Sequence, residues 1–196
     1  MKWKILSRQL QYQGYFRLEC LQIRHSLYSG GWSEVLEREV FRRSDSVAVL
    51  PYDPVRDEVL LIEQFRVGAI DSQQGPWLIE IGVGLIEPGE RREAVARRET
   101  RDRTGCELLD LQRICECYVS PGAFAEQVSL YIARADLGGV RGVYGLKAEG
   151  EDIRVSRVSA PEAFEMVASN VIVSAIPIIA LQWLQINHEK IGEQWT

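Results

Sequence analysis

Gly84-Leu-Ile-Glu-Pro-Gly-Glu90, running on through Arg98-Glu99 to Gly105, is the stretch whose reading decides the fold. Pro88-Gly89 predicts a turn. Glu90 is expected in the first turn of the helix that follows, where a carboxylate suits the positive helix end. Gly105 supplies the left-handed residue that ends that helix. Glu93, Arg97, Arg98, Glu99, Arg101, Asp102 and Arg103 lie between them. Glu99 and Asp102 share a face, and Arg103 stands one turn beyond Glu99. The residues alone leave two readings open. One is a solvated helix with intrahelical salt bridges, Glu99 with Arg103 among them. The other is a carboxylate face beside a glycine-rich loop, able to hold a hard divalent cation against a phosphate.

Around this stretch, a chain of 196 residues can bury a proper core as one domain, or as a domain with a small appendage. A hydrophobic content of 46% and a charged content of 26% are ordinary for a globular protein. The net charge of −5 gives no support to general nucleic-acid or anionic-membrane binding. A polyanionic substrate therefore needs local arginines or a metal. Met1–Arg8 lacks the apolar core of a signal peptide, and the apolar stretch near Val171–Leu184 is interrupted by Ser174 and Pro177. A soluble, cytoplasmic protein is expected. Cys115 and Cys117 fall on one face of a strand, but no partner pair stands nearby, so free thiols are expected rather than a zinc site.

Short strands are expected from about Ile5 to Phe41, with a loosely alternating run at Tyr12–Arg24 and a hairpin turn at Ser29-Gly30-Gly31. Ser46–Tyr52 and Glu58–Arg66 read as buried strands around an Asp53-Pro-Val-Arg-Asp turn. Further strands are expected at Glu107–Val119, Glu126–Ala135 and Ile153–Val158. A helix starts at Pro161, and a last one runs from about Ser174 to His188. Mostly strands, with a central helix and two late ones, imply an α+β fold: a mixed sheet sandwiched between helices. The division expected is residues 1–44 as a small N-terminal antiparallel β domain and 45–196 as the main domain. So few N-terminal strands bury little alone and must pack on the rest or on a partner chain.

The opening stretch resembles the Nudix box. Gly84, Glu90, Arg98, Glu99 and Gly105 fall in register with it. Thr100, Asp102 and Arg103 stand where the family has an apolar residue and then Glu-Glu. Arg103 therefore puts a cation where the family has a metal-binding carboxylate. Arg38-Glu-Val-Phe, Val49–Asp57, Leu61–Arg66, Pro76–Glu80, Ser120-Pro-Gly122, Glu151-Asp-Ile-Arg and Ala180–Gln185 extend the resemblance over nearly the whole chain, to the bacterial ADP-ribose pyrophosphatase branch. That resemblance implies attack of water on a pyrophosphate, giving AMP and ribose 5-phosphate from ADP-ribose. It also implies Mg2+ or Mn2+ as cofactor and a homodimer that exchanges its N-terminal strands.

Carried over position by position, the resemblance implies Glu149 as catalytic base. It implies metal ligation by the Val83 carbonyl, Glu99 and Glu151, with Asp102 supporting the metal's water shell. Arg38, Arg43 and Arg66 match positions that grip phosphate, ribose or adenine, where the planar guanidinium fork suits both phosphates and bases. Tyr15 and Phe16 match aromatics that cover the adenine from the partner subunit. Leu85, Ser120, Gly122 and Glu126 complete the matched cleft. Small-sheet core for Phe16 and ordinary packing for Leu85 stay open. So do three functions: a hydrolase of ADP-ribose or a related nucleoside diphosphate derivative, a nucleotide-binding sensor or partner subunit, and a purely structural dimer.

Overall fold

The computed structural model describes residues 1–146 and 150–196. Strands β1 (Trp3–Gln13), β2 (Arg17–His25) and β3 (Leu36–Arg42) form a three-stranded antiparallel sheet in that order. The turn lies at Gly14–Phe16, inside the run expected to be one strand, where Gly14 N–H donates to the Phe16 carbonyl at 2.9 Å. Ser29-Gly30-Gly31 instead belongs to the longer connection between β2 and β3, with both glycines at positive φ. β1 also carries register shifts at Ile5/Ser7 and Leu10/Tyr12.

Contacts divide the chain into two compact units: Met1–Asp45 with Tyr118–Gln127, and Ser46–Cys117 with Val128–Thr196. In the first, the Phe41 N–H donates to the Ala123 carbonyl at 2.8 Å, and the Ala125 N–H returns to the Phe41 carbonyl at 3.0 Å. Phe16 packs edge-on to Phe41 and Phe124, with ring centroids 6.5 and 6.1 Å away. Glu19 is buried between Arg8 and Arg42. Burial alone raises its carboxyl pKa, but bonding and charge from Arg42, then charge from Arg8 and Arg17, outweigh that and hold it below the ordinary value.

The second unit is built on β4 (Ser46–Asp53), buried at every position. It lies among β5 (Glu58–Phe65), β6 (Trp77–Glu80), β7 (Gly82–Leu85), β8 (Leu108–Tyr118), β9 (Gln127–Ala135), β10 (Gly142–Tyr144) and β11 (Ile153–Ser159). The sheet has eight strands, ordered β10-β11-β5-β4-β9-β8, with β6 on β5 and β7 on β4. β4 runs parallel to β9 and antiparallel to β5 and β7, so the sheet is mixed. Alternation then assigns the two faces. Ala48, Leu50, Tyr52, Val59 and Leu61 pack with α2 (Ala160–Ala168) and α3 (Ala175–Trp195). Val47, Val49, Leu60 and Ile62 pack with Val95 and Ala96 of α1 (Arg92–Thr104). This is the expected α+β arrangement of a sheet between helices.

Ser159 caps α2 by accepting from the Glu162 N–H at 3.3 Å, with Pro161 in the first turn. α3 runs past His188 to Trp195, because Ile191 and Trp195 continue its buried stripe after a polar interval. No helix among the described residues is long and apolar enough to cross a membrane.

Candidate active site

Helix α1 begins at Arg92, so Glu90 lies before it rather than in its first turn. The Glu90 carboxylate accepts from the Glu87 N–H at 2.9 Å and meets Arg98 at 3.1 Å. Gly105 ends the helix at φ 68°, and its N–H donates to the Arg101 carbonyl at 2.8 Å. The buried positions of α1 are Val95, Ala96, Glu99, Thr100 and Thr104. Glu99 is thus on the sheet-facing stripe, and the solvated-helix reading fails for it. Thr100 takes the apolar place of the family pattern and is buried there.

Gly84 is what lets Glu99 sit so close to β7. A Cβ at position 84 would overlap Glu99 Cγ and Cδ and lie 2.6 Å from Oε2. Val83, beside it in β7, pairs with Ala48 of β4. β10 and β11 pair Tyr144 with Ile153, and Glu151 stands two residues before β11. The Glu151 Oε2 accepts from the Leu146 N–H at 3.0 Å.

Arg103 joins the two carboxylates. Its Nη1 pairs with Glu99 Oε2, as the helical spacing predicts. Its Nη2 and Nε reach Glu151 Oε1 at 3.1 and 3.2 Å, across 48 residues of sequence. Arg98 Nη1 takes the other oxygen, Glu99 Oε1, at 2.5 Å. The side chains of Arg103, Glu99 and Glu151 are only 15%, 12% and 16% exposed. Asp102 does not join this cluster: its Oδ1 is 3.6 Å from Arg101 Nε, on the outer side of the helix. Glu149 lies outside the described residues.

The donor set decides whether a divalent ion fits. Among the described residues, no three Asp, Glu, His or Cys side chains are grouped to hold a metal. All four oxygens of Glu99 and Glu151 already have donors, two of them from Arg103. With Arg103 seated, these residues do not fit a bridging Mg2+ or Mn2+.

The residues expected to bind substrate belong some to one unit and some to the other. In the second, Arg66 is anchored by Glu80, with Nη2 and Nε at 2.6 and 2.8 Å from Oε2. Gln64 and Ser174 also donate to the buried Glu80. Sequence reasoning quoted Glu80 only as part of a stretch and assigned it no role. The β5–β6 pairing that makes it a partner of Arg66 has no local spacing signal. Leu85 ends β7 opposite Ser46.

In the first unit, Arg43 Nη2 pairs with the buried Glu126 Oε1 at 3.1 Å. The buried Arg43 Nε has no acceptor among the described residues. Arg38 is exposed and donates to the Glu37 carbonyl at 2.7 Å. Tyr15 is 80% exposed and edge-on to Phe16 at 4.9 Å. Ser120 and Gly122 lie exposed in the Ser120–Phe124 turn, where the Ser120 carbonyl accepts from the Phe124 N–H at 2.9 Å. The aromatic and Arg43–Glu126 groupings each bring expected residues together.

No protein-family model matches the chain. Individual relatives do. The ADP-ribose pyrophosphatase of Escherichia coli K12 is 40% identical over 193 residues, covering 98% of this chain and 92% of the relative. That of Haemophilus influenzae is 36% identical over 195 residues, covering 98% and 90%. The GDP-mannose pyrophosphatase of Salmonella paratyphi B is 34% identical over 159 residues, covering 78% and 79%. With likeness of this depth over nearly its full length, the chain belongs to the ADP-ribose pyrophosphatase branch of the Nudix family.

Proposed function

We propose that this protein hydrolyses the pyrophosphate bond of ADP-ribose or a related nucleoside diphosphate derivative, giving AMP and ribose 5-phosphate from ADP-ribose. The observation that carries the reading is likeness to ADP-ribose pyrophosphatases over 98% of the chain. The buried Glu99 and the half-buried Glu151, brought together from distant segments, give that likeness a chemical focus. Glu149 takes the proton of the attacking water. Arg38, Arg43 and Arg66 take the anionic and base groups of the substrate. Tyr15 and Phe16 cover the adenine, and Leu85, Ser120, Gly122 and Glu126 complete the cleft.

The buried Nε of Arg43, which has no acceptor among the described residues, supports its role, since such an N–H suits a ligand oxygen. The working form is a homodimer. Trp3, Leu6, Leu10 and Tyr12 of β1 are exposed, and a second copy would cover them. The four cysteines stand as free thiols, which suits the cytoplasm. Mg2+ or Mn2+ is the proposed cofactor of turnover: the Val83 carbonyl, Glu99 and Glu151 would hold it and Asp102 would support its water shell, only in a state where Arg103 has left the two carboxylates.

The seating of Arg103 favours a second reading, a catalytically impaired nucleotide sensor or partner subunit. Turnover of ADP-ribose by wild type and Arg103→Glu, with Mg2+ and with chelator, separates the two. Hydrolysis predicts weak wild-type turnover and a clear gain in the variant, on the order of tenfold or more. No turnover in either, with ADP-ribose still binding by calorimetry, would leave the sensor. No binding would leave a structural dimer.

A further inference from the structure

We infer that the guanidinium of Arg103 is the resident cation of the Glu99–Glu151 pair. While seated, it ties α1 to Glu151 without a divalent ion and keeps the pair from taking one up. Buried like charges repel strongly and persist only when a cation lies between them. In this chain that cation is a side chain. A planar fork with several N–H donors can serve two carboxylates at once, and Arg103 does so with Nη1 on one side and Nη2 and Nε on the other.

Two glycines leave room for the carboxylates. Gly84 leaves the space that Glu99 fills. Gly145, at φ 110°, does the same for Glu151: a Cβ there would lie 2.7 Å from Glu151 Cβ. The outward oxygens are also occupied, by Arg98 on Glu99 and by the Leu146 N–H on Glu151. A metal would therefore have to displace a covalently tethered cation whose effective concentration at the pair is set by one helical turn.

This inference deepens the pyrophosphatase reading of the same site, but it stands on ion pairing and not on turnover. Its test is melting of the full chain in chelator and in Mg2+, together with Mn2+ binding followed by electron paramagnetic resonance. Neither readout moves if hydrolysis is absent.

Wild type is expected to melt at the same temperature in both solutions. Arg103→Gln is expected to melt lower in chelator, because two carboxylates then face each other unpaired, and to recover in Mg2+. It should also bind Mn2+ about tenfold tighter than wild type or better. Adding Glu151→Gln to that variant should abolish the gain. Arg103→Gln melting like wild type in chelator would overturn the inference, as would wild-type Mn2+ binding that already equals the variant's. If Arg103→Gln does not fold, Glu151→Gln alone decides. Unchanged Mn2+ binding supports a resident guanidinium, and a loss of about tenfold or more overturns it.

Discussion

Arg56 and Arg103 each bridge two carboxylates, in opposite surroundings. Arg56 Nη1 reaches Asp53 at 2.7 Å and Asp136 at 2.8 Å, with its own side chain 42% exposed and that of Asp136 76% exposed. Asp53 is buried, but its oxygens also accept from the N–H groups of Val55, Arg56 and Leu137 at 3.0, 3.1 and 3.0 Å. The turn after β4 would hold that carboxylate even with the guanidinium gone. At the other bridge Glu99 is buried and Arg103 and Glu151 are largely covered, and the donors to Glu99 are the guanidinium groups of Arg98 and Arg103. A carboxylate held by backbone tolerates loss of its cation, whereas one held by side chains depends on it.

The glycines beside the two bridges sharpen this contrast and give the largest expected effect. In Gly84→Ala the new methyl group meets the body of the Glu99 side chain, which has β7 on one side and its own helix on the other. Glu99 has to move, and the largely covered Arg103 is left with one partner misplaced. We expect a loss of roughly 3–5 kcal/mol, as for breaking a buried ion pair from one side, measured by urea unfolding. At Gly138 the added Cβ meets Arg56 Nη2 at 2.5 Å, the free end of a flexible side chain. A Gly84→Ala variant no less stable than wild type would show that the buried bridge is not held by close approach.

What the sequence discloses follows from how local each feature is. The box glycines, the Glu99–Arg103 pairing and the Asp53–Asp57 turn are set by residues a few positions apart, and spacing alone exposes them. β4 and β5 are legible as strands because each is a short, nearly continuous apolar run on either side of that turn. Arg66 with Glu80, and Arg103 with Glu151, depend on which strands become neighbours, so no local period marks them. The hairpin at Gly14–Phe16 is hidden for another reason. Tyr15 and Phe16 are strand-favouring aromatics placed at a turn. The end of α3 is hidden because Glu189 and Lys190 are polar, while the burial of Ile191 and Trp195 depends on distant core residues.

The turn-held carboxylate gives the middle effect. Burial raises the Asp53 pKa, but the Leu137 N–H, Arg56 and the Val55 N–H outweigh it and hold the carboxyl below its ordinary 3.8. A folded-state pKa below the unfolded one adds stability that is complete above pH 3.8 and is lost as pH falls through the lower folded value. Asp53→Asn should cost about 2 kcal/mol at neutral pH, since charged acceptors become neutral ones and Leu137 loses a strong partner. The gap to wild type should narrow on acidification below that point. A gap of constant size down to the acid transition would mean that the charge on Asp53 contributes nothing and that shape alone matters.

The smallest effect belongs to the outer arm of the Arg56 bridge. Asp136 is mostly in water, where its attraction to Arg56 is screened and offset by the entropy of holding a long side chain still. Its Oδ1 also accepts from the Gly138 N–H at 2.9 Å, a bond that an asparagine oxygen can replace. Asp136→Asn should therefore change stability by less than about 1 kcal/mol at low salt and by less still at high salt. A larger loss that persists at high salt would make Asp136 a full partner of Arg56. The two bridges would then differ in exposure alone, and backbone support of Asp53 would no longer explain why the outer one tolerates change.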